Sequence, residues 1–266
     1  MKTYENISGV PDFKSQSFKD SNLSYCVLIP VINEGKRIQN ELVRASKAKI
    51  TSVADIVICD GGSTDNSLES DFLKTIGVHS LLTKIGSGKQ GAQLRMGIWW
   101  ALKNKYKGII TIDGNDKDSI EDIPKFIEKL EAGYDFIQGS RFVSGGEAIN
   151  TPLIRYVSVR LIHAPIISLT AHHWFTDTTN AYRGYSRHYL EDPRVQPLRD
   201  VFMTYELLAY LSVRASQLEM KVCEIPVKRA YPVAEKTPTK ISPLKGNGLL
   251  MKILFLNLIG KYIPKD

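Results

Sequence analysis

Short apolar, β-branched runs alternate along the chain with longer stretches whose apolar positions recur at helical spacing. The strand-like runs are YCVLIP (25–30), ADIVICD (54–60), HSLLT (79–83), GIITID (108–113) and YDFIQGS (134–140). Amphipathic stretches fill the intervals at Arg37 to Ala48, Ser67 to Thr75, Gln90 to Lys103 and Ile120 to Glu131. This alternation predicts an α/β fold with one doubly wound, mostly parallel sheet flanked by helices. Ligands of such sheets lie beyond the carboxyl ends of the strands. Here each strand runs into polar or Gly-rich sequence: PVINEG, DGGSTDNS, KIGSGKQG, DGNDKDS and GSRF. The chemistry is expected along one edge.

Past Ser144 the pattern loosens into an apolar helical region over 152–175, a polar turn TDTTNAYRGYSR, a helix around Thr204 to Ala215 and a strand MKVCEIPV. This half is expected to shape the substrate site of the same domain. The final segment, GNGLLMKILFLNLIGKYIP, is apolar almost all round, which suits a buried or a membrane-associated helix. The expected organisation is a polar leader over 1–22, a catalytic domain over 23–232, and a basic linker with a C-terminal apolar helix over 233–266. That last part either belongs to the same domain or forms a peripheral membrane anchor. The leader lacks the apolar core of a signal peptide, and the uncharged run Leu161 to Thr176 falls short of the ~20 residues that span a bilayer, so no transmembrane helix is expected.

Charge and cysteine content narrow the picture. Of the net charge of +7, residues 228–266 supply most, with eight Lys or Arg against Glu235 and Asp266. A localised basic tail suits an anionic partner such as phosphate groups or a membrane surface. Nucleic-acid binding would call for aromatic and basic residues interleaved on a strand surface, which the tail does not show. Cys26, Cys59 and Cys223 form neither a CxxC pair nor an even framework, so a reducing, cytoplasmic setting fits better than a disulfide scaffold or zinc site.

Several strand ends carry residues suited to chemistry. Asp60 stands where it could accept hydrogen bonds from a nucleobase or ribose, although a plain capped turn explains the same residues. GSGKQGAQLR (86–95) has the glycines and cations of a phosphate loop without being a Walker sequence. The segment Ile112 to Ser119 gathers Asp113, Asn115, Asp116 and Asp118, hard oxygen groups that suit Mg2+ or Mn2+. The alternative is a solvated turn in which Asp118 or Ser119 caps the next helix.

In order and spacing, IPVINEG, DGGSTDNS, GKQGAQLRMG, TIDGNDKDS, GSRF and TDTTNAYRGYSR resemble the inverting family 2 glycosyltransferases of the GT-A (nucleotide-diphosphosugar transferase) fold, most closely their dolichol- or polyprenyl-phosphate mannosyltransferase branch. The resemblance covers about residues 25–232. It implies a GT-A domain that takes a sugar from a GDP- or UDP-sugar and passes it to a polyprenyl phosphate or to a lipid-linked or cell-surface glycan precursor. By position, Pro30, Asn33, Glu34 and Asp60 would line the nucleotide, with Lys89, Arg95, Asp113, Gly114 and Asn115 at the donor. Asp113 and Asn115 would hold Mg2+ or Mn2+, with Asp116 and Asp118 as alternatives. Arg141 and Arg183 would hold phosphate oxygens. Apart from the resemblance, the basic tail reads as an anchor that sets Arg229, Lys236 and Lys240 near an acceptor phosphate, the alternative being a helix that completes the core or a dimer interface with its lysines solvated. The chain departs from the pattern at Asn115, where a second acid is expected, and at Lys117, where some relatives have a polar metal ligand.

The acceptor decides the mechanism. A hydroxyl needs a carboxylate base, for which Asp177 and Glu206 are candidates, each with a structural role as the alternative; an ionised phosphate needs none. The expected setting is the cytoplasm, at the inner face of a membrane, and a homo-oligomer stays open. Two other classes are weaker. A sugar-phosphate nucleotidyltransferase would open with a Gly-rich basic loop where this chain has PVINEGKR, and a non-catalytic basic membrane module is supported by the tail alone.

Overall fold

The computed structural model describes residues 1–20, 23–232 and 245–264. Strands β1 (Lys2–Tyr4), β2 (Phe13–Ser17), β3 (Tyr25–Val31), β4 (Asp55–Asp60), β5 (Ser80–Lys84), β6 (Gly108–Thr111) and β7 (Phe136–Ser140) enter one sheet. A short β8 (Glu147–Ile149) stands apart, and β9 (Arg183–Ser186) and β10 (Val222–Pro226) complete the sheet in the order β1-β2-β5-β4-β3-β6-β9-β7-β10. The β5-β4-β3-β6 run and the β7-β10 pair are parallel, and β9 is inserted antiparallel between β6 and β7. All six residues of β4 are buried, as a central parallel strand with helices on both faces requires. The expected mostly parallel sheet is therefore present, with an antiparallel insertion that alternation alone did not predict.

Helices α1 (Lys36–Lys47), α2 (Ser70–Thr75), α3 (Gln90–Lys103) and α4 (Ile123–Glu131) connect the first strands. Ile38 and Leu42 of α1 and Ile123 and Phe126 of α4 pack on one face of the sheet. On the other face Leu94, Met96 and Ile98 of α3 meet Leu207, Tyr210 and Leu211 of α8 (Glu206–Gln217). The segment expected as a leader joins the sheet. Its β2 pairs antiparallel with β5, and Phe13 stacks on Tyr4 with centroids 4.8 Å apart while both meet the edge of Trp99.

After β8 a continuous helix runs from Leu153 to Ala171, made of α5 (Leu153–Ser158), a π-helical segment Val159–His163 and α6 (Ala164–Ala171). At 19 residues it is longer than the uncharged run in the sequence, because it begins ahead of Arg155 and Arg160. By length and composition it alone among the described helices could cross a bilayer, yet α6 packs against α8 and α9 (Lys245–Leu258). A short α7 (Arg187–Glu191) follows β9. Ile253 and Leu254 of α9 and the following Tyr262 are buried in the α3–α8 core, which makes the C-terminal helix part of this domain.

Candidate active site

Because β3, β4, β5, β6, β7 and β10 point the same way, their carboxyl ends share one edge, and the turn entering β9 arrives there too. The loop after β3 is stitched to the loop after β4. Asn33, in the left-handed region at φ 48°, donates its N–H to Ser63 Oγ at 3.0 Å and accepts from Thr64 N–H at 2.8 Å. Asp60 Oδ1 accepts from Ser63 N–H and Oγ at 2.9 and 2.7 Å. Glu34 holds Arg37 at 2.8 Å, and Gln93 Nε2 ties the Val31 and Cys59 carbonyls together at 2.7 Å each. Asn33 and Glu34 after β3 and Asp60 at the end of β4 thus lie together in a hydrogen-bonded pair of strand ends, with Pro30 near the end of β3.

At the end of β6, Asp113 Oδ1 accepts from Gln90 Nε2 at 3.0 Å, and Oδ2 from Arg229 Nη2 at 3.3 Å. Gly114 is required by packing, since a Cβ there would come within 3 Å of Val31 and Ile29 side-chain carbons. Asn115 Oδ1 is buried and has no hydrogen-bond partner among the described residues. Asp116 adopts φ 58°, pairs with Arg44 at 2.7 Å and gives its N–H to the buried Glu41. Asp118 is buried and paired with Arg229.

The chain after β10 closes this site. Ala230 N–H donates to Lys117 O at 2.8 Å and Ser119 N–H to Lys228 O at 3.0 Å, while β11 (Lys228–Ala230) runs parallel to β8. That pairing sets Arg229 between Asp113 and Asp118 and brings Tyr231 under Lys117, whose Nζ lies 5.3 Å from the ring centroid. Arg155 Nη1 donates to Tyr231 Oη at 3.1 Å. Burial, and then Arg229, push the Lys117 ammonium down to about 8. Burial opposes ionisation of Tyr231, yet Arg229, Arg155 and Arg141 bring its phenol down to about 8.

Other expected residues take structural roles. Arg141 and Asp177 form a buried two-pronged pair, Nε to Oδ2 at 2.6 Å and Nη2 to Oδ1 at 2.8 Å. Arg183 donates to the carbonyls of Thr178, Asn180 and Leu208, so it braces the 176–182 turn. Glu206 accepts from Thr204 N–H and Oγ1 at 2.6 Å each, and Thr204 O in turn holds Gly91 N–H. Lys89 is exposed at the start of α3, whereas Arg95 is buried, with its guanidinium on the carbonyls of Gly9 and Leu198. Arg95 therefore fastens the amino-terminal segment. Lys236 and Lys240 lie outside the described residues. Gln90, Arg155 and Tyr231 were missed. The only sequence signal was the aromatic directly after the RA of Arg229 and Ala230.

Residues 26–192, more than half the chain, match the family described as Glycosyl transferase family 2. The chain belongs to this family. Glycosyltransferase AglJ of Haloferax volcanii is 24% identical over 233 residues, covering 86% of this chain and 70% of that protein. Polyprenol monophosphomannose synthase of Mycolicibacterium smegmatis is 25% identical over 207 residues, covering 76% and 75%. Glucosyl-3-phosphoglycerate synthase of Mycobacterium tuberculosis, solved with Mn2+, UDP and phosphoglyceric acid, superposes with a TM-score of 0.62 at 14% identity, covering 92% and 81%. Its likeness shows that the GT-A fold is shared.

The residues of this glycosyltransferase fit a resident divalent cation poorly. Asp113 and Asn115 offer two oxygen groups, but Asp116 and Asp118 are held by arginines, and the next alternating position is Lys117. Among the described residues no group of three His, Cys, Asp or Glu side chains is placed to hold a metal. A dication held by Asp113 would be repelled by the Lys117 ammonium, which Asp113 attracts.

Proposed function

We propose that this enzyme moves a sugar, with inversion, from a GDP- or UDP-sugar to a polyprenyl phosphate, giving a lipid-linked sugar. The observation that carries this reading is that both candidate bases are already committed, Asp177 to Arg141 and Glu206 to Thr204, while Arg229, Arg155 and Arg141 converge on Tyr231. An acceptor that arrives ionised needs no base. Asn33, Asp60 and the glycines after β4 take the nucleoside, and Asp113 orients the donor at the end of β6. Arg155 and Tyr231 receive the acceptor phosphate, with Arg141 behind them lending charge. Phosphate oxygen attacks the anomeric carbon, the bond from that carbon to the donor's β-phosphate oxygen breaks, and the electron pair stays on the departing diphosphate.

The acceptor's lipid tail suits the surface next to Arg155. Leu153 and Ile154 are about four-fifths exposed, and Leu161, Leu169, Trp174, Phe255 of the C-terminal helix and Ile259 just past it are exposed as well. Exposed apolar residues of this kind, on helices that also expose Arg160 and Lys252, support peripheral docking at an anionic membrane face. The test offers polyprenyl phosphate and unphosphorylated polyprenol in detergent with GDP- and UDP-sugars. Glycolipid should form from the phosphate only. Equal transfer to polyprenol would overturn the reading.

A further inference from the structure

The reading above requires charge to be neutralised on a departing diphosphate, and the donor set described for Asp113 does not suit the cation that usually does this. Positions 113, 115 and 117 alternate along one loop as carboxylate, carboxamide and ammonium. The loop is not free to rearrange, because its backbone is zipped to β11 at Lys117 and Ser119. Asp116 is turned to Arg44 on the α1 side, and Asp118 is buried against Arg229. Lys117 is 6% exposed, lies over the Tyr231 ring, and is attracted by Asp113. Arg229 reaches Asp113 from the other side at 3.3 Å. Asp113 thus has Arg229 at 3.3 Å and feels the Lys117 ammonium, which the Tyr231 ring holds four residues along the loop, before any ligand arrives.

We infer that Lys117 and Arg229 take the place of a divalent cation at the donor's diphosphate, so that this enzyme binds and transfers without metal. The inference rests on the diphosphate-donor reading. As the bond from the anomeric carbon to the β-phosphate oxygen breaks, the electron pair left on that oxygen meets the Lys117 ammonium, and no proton has to move. Asp113 then serves to hold the two cations in place and to meet the donor's hydroxyls, and the buried Asn115 Oδ1 accepts from the ligand where a second carboxylate would have bound metal. A fixed ammonium costs no reorganisation as charge develops, the property that makes preorganised groups effective.

The test measures GDP and UDP binding by calorimetry, and sugar transfer, in EDTA and with Mn2+ or Mg2+. It also titrates Mn2+ by electron paramagnetic resonance, which reads metal binding without turnover. Wild type should bind a nucleoside diphosphate in EDTA with affinity within about 2-fold of that in metal, and should leave Mn2+ free. Lys117→Gln should lose at least 10-fold in EDTA and regain binding with Mn2+, and Lys117→Arg should restore binding in EDTA that the glutamine variant loses. Circular dichroism melts confirm that both variants fold. A 10-fold or larger loss of wild-type binding on chelation overturns the inference and leaves the donor reading standing, as does Lys117→Gln binding like wild type in EDTA. Binding of neither nucleotide under any condition overturns both.

Discussion

Asp177→Asn separates a structural carboxylate from a catalytic one. The Asp177 side chain is fully buried and its Arg141 partner only 2% exposed, and its oxygens accept from Arg141 Nε, Nη2 and N–H at 2.6, 2.8 and 3.2 Å. Asparagine keeps one acceptor but sets an amide donor against the guanidinium and leaves that charge without its counter-charge. Breaking one side of a buried pair costs about 3–5 kcal/mol, which for a chain of this size lowers the melting temperature by about 6–20 °C. Thermal melts followed by circular dichroism, with urea midpoints as a second measure, read the change. Replacing both partners, as Arg141→Met with Asp177→Leu, should recover much of the stability, since no lone charge is left inside. If Asp177→Asn melted within about 2 °C of wild type while kcat fell and its pH profile changed, the carboxylate would be a base and the structural reasoning would fail.

Asp113→Ala removes the acceptor between Gln90 and Arg229 at a position whose side chain is 22% exposed, so the protein should fold while kcat/KM drops about 1000-fold, near 4 kcal/mol in the transition state; near-normal turnover would remove Asp113 from the site. Burial raises the Glu41 carboxyl well above its ordinary 4.5, so the folded state resists its ionisation and loses stability as pH rises from about 4.5 towards the folded value. The melting temperature of Glu41→Gln relative to wild type should therefore rise between pH 4 and pH 7, and a difference that stayed constant with pH would refute the buried-acid assignment. Exchanging Leu153, Leu161 and Phe255 together for aspartate should cut binding to anionic vesicles at least 10-fold in flotation while leaving transfer to a short, soluble prenyl phosphate intact; undiminished flotation would place the docking surface elsewhere.

The sheet was legible because β3, β4 and β6 bury apolar residues in unbroken runs, and the strand ends were legible because polar and Gly-rich sequence follows each one. The amino-terminal strands were not, since FKSQS buries only Phe13 and Ser15 and reads as polar; its place depends on Trp99 and Arg95, which lie far along the chain. The resemblance puts Arg95 with Lys89 near the donor. Arg95 sits about 140° around the helix from Gln90, the residue that does face Asp113. Arg155 and Tyr231 escaped notice because the aromatic after Arg229 and Ala230 is the one faint local mark, and they meet only when the segment after β10 pairs with the loop after β6. Asp177 and Arg141 were both singled out, but the sequence could not show that each consumes the other.

Transfer to an acceptor whose terminal phosphate carries 18O on its non-bridging oxygens tests the central claim most directly, with the glycolipid and the released nucleotide read by mass spectrometry. The account predicts that every labelled oxygen stays in the glycosyl phosphate, that the nucleoside diphosphate leaves unlabelled, and that the anomeric configuration is inverted. Label in the nucleotide product, or a free sugar in place of the glycolipid, would contradict it.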